Sequence, residues 1–196
     1  AEQIAVSGQP VALDVETYGT KGGLNPWAGD IRLLSLAVPG ADPWLLDLKA
    51  IGYELGPLAE VLASGTVLGH NVKFDALWLL VKCGLRLGAL QDTLTASRLL
   101  TAGTAEGNDL GAVLKRHLNV ELPKDQGRSD WGGMILTDEQ LRYATDDVRY
   151  LHALHKKLQG ELDAAGLSVV YQTELQLLPV VVDMEAHGFA IDRARL

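Results

Sequence analysis

The sequence is poor in cysteine, phenylalanine, methionine and positive charge, and each shortage excludes something. One cysteine, Cys83, rules out an internal disulfide. Its seat at the end of the apolar run ALWLLVKC makes it an expected core thiol in a reducing, cytoplasmic compartment. No apolar run approaches the ~18 residues that a membrane span needs: ALWLLV stops at Lys82 and LLPVVV stops at Asp183. The N-terminus shows no basic stretch leading an apolar one, so neither a secretory signal nor a membrane partner is expected. There is no Walker loop, no G-x-G-x-x-G and no G-x-S-x-G elbow, so nucleotide hydrolase, dehydrogenase and serine hydrolase readings lose their usual support. His152 and His155 are not spaced as a convincing zinc pair. Seventeen Lys and Arg against 25 Asp and Glu leave a net charge of −8. That balance speaks against tight binding of long duplexes. It does not exclude nucleic acid if several carboxylates hold divalent cations, since two ions would bring four positive charges to where a phosphate approaches.

What remains is the composition of a soluble globular protein. Hydrophobic residues make up 47% and charged residues 21% of 196 positions, enough for one domain with a short appended piece and a monomer by default. Residues 11–17 alternate Val11, Leu13 and Val15 against Ala12, Asp14 and Glu16, which predicts a strand. IRLLSLAV and WLLDL predict two more strands, joined by Pro39-Gly40 and Asp42-Pro43, in an antiparallel meander. A helix is expected over 57–64 and a short strand over 66–68. Asn71 is placed as the N-cap of a buried helix running to Lys82 and stopped by Gly84. Further helices are expected over 93–101 and 109–118, followed by a long irregular loop over 119–136. Thr137 and Gln140 form a capping box for one helix over 138–159, and a second helical tract spans 168–187. Strands first, then alternating helix and strand, indicate a mixed sheet flanked by helices.

Against this frame, four acids stand in the wrong places. Asp14 and Glu16 lie in an apolar strand, where period two puts both on one face with Cα atoms roughly 6.5–7 Å apart. Asp75 lies in an apolar helix, with Lys73 and Lys82 as the candidate partners for an ordinary ion pair. Asp147 falls in the middle of the arc formed by Tyr143, Leu151, Leu154 and Leu158, whereas Asp146 points to the polar edge. Tyr143 lies one turn before Asp147 on the same face. Carboxylates are rarely buried unless paired or metal-bound. Like charges ~5 Å apart at an effective dielectric near 20 repel by roughly 3 kcal/mol per pair. Converging acids therefore require protons or hard cations, and an all-oxygen set suits Mg²⁺ or Mn²⁺ better than Zn²⁺.

Asp14-x-Glu16, Asn71-x-x-x-Asp75 and Tyr143-x-x-x-Asp147 resemble, in order and spacing, the three motifs of the DEDD 3′–5′ exonuclease superfamily in its tyrosine subtype. The resemblance covers about residues 8–160. It implies an α/β, ribonuclease H-like mixed sheet flanked by helices, with two divalent cations, Mg²⁺ or Mn²⁺, held by Asp14, Glu16, Asp75 and Asp147. Residues 91–93 look like a helix lead-in of that family with a structural role. The tail 177–196 resembles the passage from exonuclease to polymerase in family A DNA polymerases. On that likeness, 1–166 would be the exonuclease and 167–196 a helix and the start of a truncated polymerase-domain segment. Lys124 and the run Arg128 to Trp131 are instead similar to ribonuclease D and to helicase-linked exonucleases.

The reaction implied is removal of nucleoside 5′-monophosphates from a 3′ end, with Asp14, Glu16, Asp75, Tyr143 and Asp147 as the catalytic set. Asp14 would bridge the two ions, Glu16 and Asp147 would hold the water-activating one, and Asp75 would support the other. Tyr143, with a free phenol pKa near ~10, is better suited to orienting water than to taking a proton. Thr17, His70, Asn71, Phe74 and Lys124 are the candidate substrate contacts, with a core role the stronger reading for Phe74 and a loop anchor the alternative for Trp131. The expected partners are a single-stranded DNA 3′ end, or RNA, and a polymerase domain in the same parent chain. The rival readings are a ribonuclease D-like exoribonuclease and a catalytically silent nucleic-acid-binding domain.

Overall fold

A computed structural model describes residues 1–19, 23–122, 129–192 and 195, with the side chains of residues 6 and 7 aside. Among these residues five strands form one sheet: β1 (Val11–Gly19), β2 (Gly29–Ala37), β3 (Trp44–Asp47), β4 (Thr66–Gly69) and β5 (Ala89–Asp92), in the order β3–β2–β1–β4–β5. β1, β2 and β3 run antiparallel as the expected meander, and β4 and β5 lie parallel to β1 and to each other. Among the described residues, eight helices flank the sheet: α1 (Glu2–Ser7), α2 (Pro57–Ser64), α3 (Val72–Cys83), α4 (Thr93–Leu100), α5 (Leu110–Leu118), α6 (Asp138–Arg149), α7 (Leu151–Ala164) and α8 (Ser168–His187). This is the mixed α/β architecture that the sequence implies.

The alternation in β1 sorts the layers. Val11, Leu13 and Val15 join the largest core, with Leu58 and Leu62 of α2 and Val72, Trp78 and Leu79 of α3. Ala12, on the other face, packs with Ala37, Leu68, Val148 and Leu151. A third cluster unites Ala96, Val113, Leu154, Leu158, Tyr171 and Leu175 from α4, α5, α7 and α8. Cys83 is half-buried against the main core, and burial pushes its thiol pKa up to about 11, so it is an inert packing group.

Three expectations need correction. The helix expected over 138–159 is two helices that meet at Tyr150. The break lets α6 face the sheet while α7 packs its leucines on α4 and α5, so Leu154 and Leu158 leave the arc of Asp147. α7 also continues through Gly160 to Ala164, since one glycine costs a helix only about 1 kcal/mol and the leucines of α7 pack on both sides of it. α1 and β5 were not expected at all. The six residues of α1 are too few to show a helical period, and β5, ALQD, has no apolar run of its own and exists because β4 offers it an edge.

Candidate metal centre

β1 carries Asp14 and Glu16 on the face turned to α6, and the β1–β2 register slips between Glu16 and Thr17. Such a bulge re-aims the side chains beside it. β1 pairs with β4 only through Val11 and Ala12. Past that point the two strands part, and the Val15 N–H has no β4 carbonyl to meet. Asp75 of α3 fills the place, with Oδ1 accepting from the Val15 N–H at 2.9 Å. The ion pairs that could have explained Asp75 go elsewhere: Lys73 meets Glu185 at 2.6 Å and Lys82 meets Asp30 at 3.0 Å.

The turn from β4 into α3 is built for close approach. A Cβ on Gly69 would stand 2.8 Å from the Val72 Cβ, so only glycine fits. Asn71 occupies the N-cap place of α3 but with φ 71°, and its side chain caps nothing, contrary to expectation. The cap comes from Asp92, buried at the end of β5. Its Oδ1 accepts from the N–H groups of Asn71 at 2.7 Å and Val72 at 3.4 Å, while the same carboxylate caps α4 through Leu94 and Thr95. The structural reading of residues 91–93 is thus realised in hydrogen bonds.

α6 starts with the expected capping box. The Gln140 N–H donates to Thr137 Oγ1 at 3.2 Å, and the Thr137 N–H donates to Gln140 Oε1 at 2.9 Å. Gln140 Nε2 also donates to Ser129 Oγ and to the Asp130 carbonyl, tying the preceding loop to the helix. Trp131 in that loop is buried and lies 6.4 Å from the Tyr143 ring, so it is an anchor beneath Tyr143. Arg32 of β2 donates to the Trp131 carbonyl at 3.3 Å and pairs with Asp47 at 3.1 Å. Asp147 is buried toward β1, whereas Asp146 pairs with Arg149 at the surface.

The acids meet. Ligand oxygens of Asp14, Glu16 and Asp147 lie within 4.8 Å of one another. Asp75 joins them on the wall of a pocket of about 220 Å³, with Thr17, His70, Asn71, Phe74 and Tyr143 also on its lining. Among the described residues, no Lys or Arg lines this pocket. Burial pushes the Asp14 carboxyl well above the usual carboxylate range, and the charges of Asp75, Glu16 and Asp147 push it further. Burial likewise raises Asp75, against the Val15 hydrogen bond that lowers it. An all-oxygen donor set under mutual repulsion, with no cationic side chain on the pocket wall, fits hard divalent cations. Tyr143 stays a neutral phenol, because burial first and then Asp147, Glu16 and Asp14 all disfavour phenolate.

The remaining candidates divide. Thr17 Oγ1 donates to the Gly23 carbonyl at 2.7 Å, and its role in holding the turn is visible. Phe74 has both of its expected faces: it packs against the core with its ring 6.0 Å from that of Trp78, and it lines the pocket. His70 bridges Thr93 Oγ1 and the Asn108 carbonyl, each at 2.9 Å. Burial lowers its pKa. Asn71 is exposed at the pocket rim. Lys124 lies outside the described residues. A second cavity of about 620 Å³ shares Asp14, His70, Tyr143 and Asp147 with the first and extends to Asp109, Gly111 and Lys115 of the α5 segment. Neither this wall nor Leu24, which is exposed on the smaller pocket, carried any signal in the sequence, since each lies on a segment with no motif.

Comparison with known proteins follows the same lines. A protein-family model described as 3′–5′ exonuclease matches residues 2–163. DNA polymerase I of Aquifex aeolicus is 30% identical over 198 residues, covering 92% of this chain and 32% of that protein. Ribonuclease D of Pseudomonas paraeruginosa is 34% identical over 125 residues, covering 63% of this chain and 32% of that protein. The chain thus spans about a third of the length of these curated relatives. Among solved structures, NrnC of Brucella melitensis superposes with a TM-score of 0.83 at 26% identity, covering 95% of this chain and 89% of that one. The same protein has been solved bound to pGG (TM-score 0.81, 25% identity, 93% and 87% covered) and with bound Mg²⁺ (TM-score 0.80, 27% identity, 93% and 88% covered).

Proposed function

Because this chain belongs to the 3′–5′ exonuclease family, we propose that Asp14, Glu16, Asp75 and Asp147 hold its two divalent cations, Mg²⁺ or Mn²⁺, with Tyr143 beside them. The enzyme is a metal-dependent 3′–5′ exonuclease of the DEDD type. The observation that carries the residue assignment is the convergence of Asp14, Glu16 and Asp147 oxygens within 4.8 Å beside the middle of β1. When bound, the ions neutralise the acids, lower the pKa of a coordinated water and steady the leaving oxygen. Asp14 is the acid repelled by all three of the others, which supports its reading as the bridging ligand. Glu16 and Asp147 would hold the water-activating ion, and Asp75, on the same pocket wall, would support the second. Tyr143 keeps its proton, so it orients water through its hydroxyl and does not act as a base.

The substrate is the 3′ end of single-stranded DNA, and the product a nucleoside 5′-monophosphate. The DNA reading, and with it a proofreading role beside a polymerase domain in the parent chain, is supported by the match to a DNA polymerase I across 92% of this chain. RNA is the second reading, favoured by the Ser129 to Trp131 loop under Tyr143 and by the ribonuclease D relative. Matched DNA and RNA oligonucleotides, labelled at either end and digested in Mg²⁺, test both. Stepwise release of the 3′-terminal mononucleotide, faster from DNA and abolished by Asp14→Ala, is expected. Faster release from RNA overturns the proofreading reading, and equal release by Asp14→Ala overturns the catalytic assignment.

A further inference from the structure

The two cavities meet at Asp14, Tyr143 and Asp147, so a strand cut there has one part on each side. The pocket of about 220 Å³ is too small for more than the one nucleotide unit being released. The cavity of about 620 Å³ has room for the strand that stays, upstream of the cut. A strand leaving that way carries a phosphate at every nucleotide. Its walls are nonetheless acidic: Asp14, Asp109, Glu121 and Asp147 line it, and among the described residues Lys115 is the one Lys or Arg on either cavity. Lys115 stands in the last turn of α5, on the side that faces the cavity.

On the exonuclease reading above, we propose that Lys115 positions the substrate by meeting the phosphate one nucleotide upstream of the scissile linkage. Its partner in the structure, Glu121, is three-quarters exposed, as is about half of Lys115 itself. Ion pairs at such exposure hold little energy, so an incoming phosphate displaces Glu121 readily. Phosphate also draws an ammonium more strongly than a single solvated carboxylate does, because it offers several charged oxygens to three donors. The contact is to backbone and not to base, so it is indifferent to sequence and sensitive to the number of phosphates. Lys115 takes no part in a buried network, and its replacement leaves the fold in place.

The test uses wild type, Lys115→Gln and Lys115→Arg with Mg²⁺ on three substrates. They are a dinucleotide whose scissile linkage is its only phosphate, the same dinucleotide with a 5′-phosphate, and a tetranucleotide. Lys115→Gln is expected to raise KM about five- to tenfold on the latter two with kcat unchanged, and to leave the bare dinucleotide unaffected. Lys115→Arg restores most of the loss, and the slope of log KM against log salt for the tetranucleotide flattens by about 0.7 in Lys115→Gln. Wild-type KM values for Lys115→Gln on all three substrates, or an equal loss on the bare dinucleotide, would overturn the inference while leaving the exonuclease reading intact. No release by wild type from any substrate overturns both.

Discussion

Removing one acid from the site should make the metal-free protein more stable. Asp14 is the substitution of choice, because its carboxyl feels Asp75, Glu16 and Asp147 together. With oxygens inside 4.8 Å, each fully charged pair costs roughly 3 kcal/mol at an effective dielectric near 20. The metal-free protein relieves part of this because its fold favours the protonated Asp14 carboxyl, so the strain that Asp14→Asn removes is set at about 1–2 kcal/mol, a fraction of one pair's repulsion. The sign follows from linkage. A folded-state pKa raised above 3.8 means that the folded chain holds a proton the unfolded chain releases. Its contribution to stability is present at low pH and fades as pH rises through the raised value. Asp14→Asn removes that loss, and for a chain of this size Tm should rise by about 2–8 °C in chelator at pH 8. Saturating Mg²⁺ has the opposite ranking. At 100 times its Kd the ion adds about 2.7 kcal/mol to wild type, or roughly 5–10 °C, and much less to the variant. Calorimetric scans of both proteins with EDTA and with Mg²⁺ check the crossing of the two orders. An Asp14→Asn protein that melts below wild type in EDTA, or gains as much from Mg²⁺, would refute the reasoning.

Other substitutions separate the roles of neighbouring groups. Asp75→Ala orphans the buried Val15 N–H and should cost about 1–3 kcal/mol beyond its loss of activity, whereas Asp75→Asn keeps an acceptor there and should melt within a few degrees of wild type while remaining inactive. Tyr143→Phe should lower kcat about 10- to 100-fold with little change in KM or Tm, and its pH–rate profile should keep the wild-type shape, since the phenol stays protonated throughout. Trp131→Ala should destabilise by about 3–5 kcal/mol and reduce activity through Tyr143, visible as a lower Tm and a weaker near-ultraviolet dichroism signal. Asp92→Ala removes the cap shared by α3 and α4 and should cost about 2 kcal/mol, read by urea unfolding.

The acids were legible because burial makes a charge conspicuous. Asp14, Glu16, Asp75 and Asp147 each interrupt an apolar pattern, and periodicity alone set Asp147 apart from Asp146. Tyr143 was legible as a partner one turn away. Less was readable where tertiary contacts decide. The division at Tyr150 leaves no glycine or proline behind, and depends on α6 and α7 having different surfaces to cover. Asn71 has the residue type of an N-cap, yet the short path from β4 to α3 forces it into a left-handed conformation and hands the capping to Asp92, 21 positions away. The α5 wall is assembled from residues with no shared motif, and only the fold brings Lys115 and Asp14 to one cavity.

The bond from the Val15 amide to Asp75 also constrains how such a protein can decay. A lineage that gives up cutting and retains only binding gains from the relief of crowding when it discards Asp14. Discarding Asp75 leaves the buried Val15 N–H unpaired where β1 and β4 part. Retired descendants should therefore keep the helical aspartate long after the strand pair has gone, which makes that residue a marker of ancestry and a poor witness to present activity.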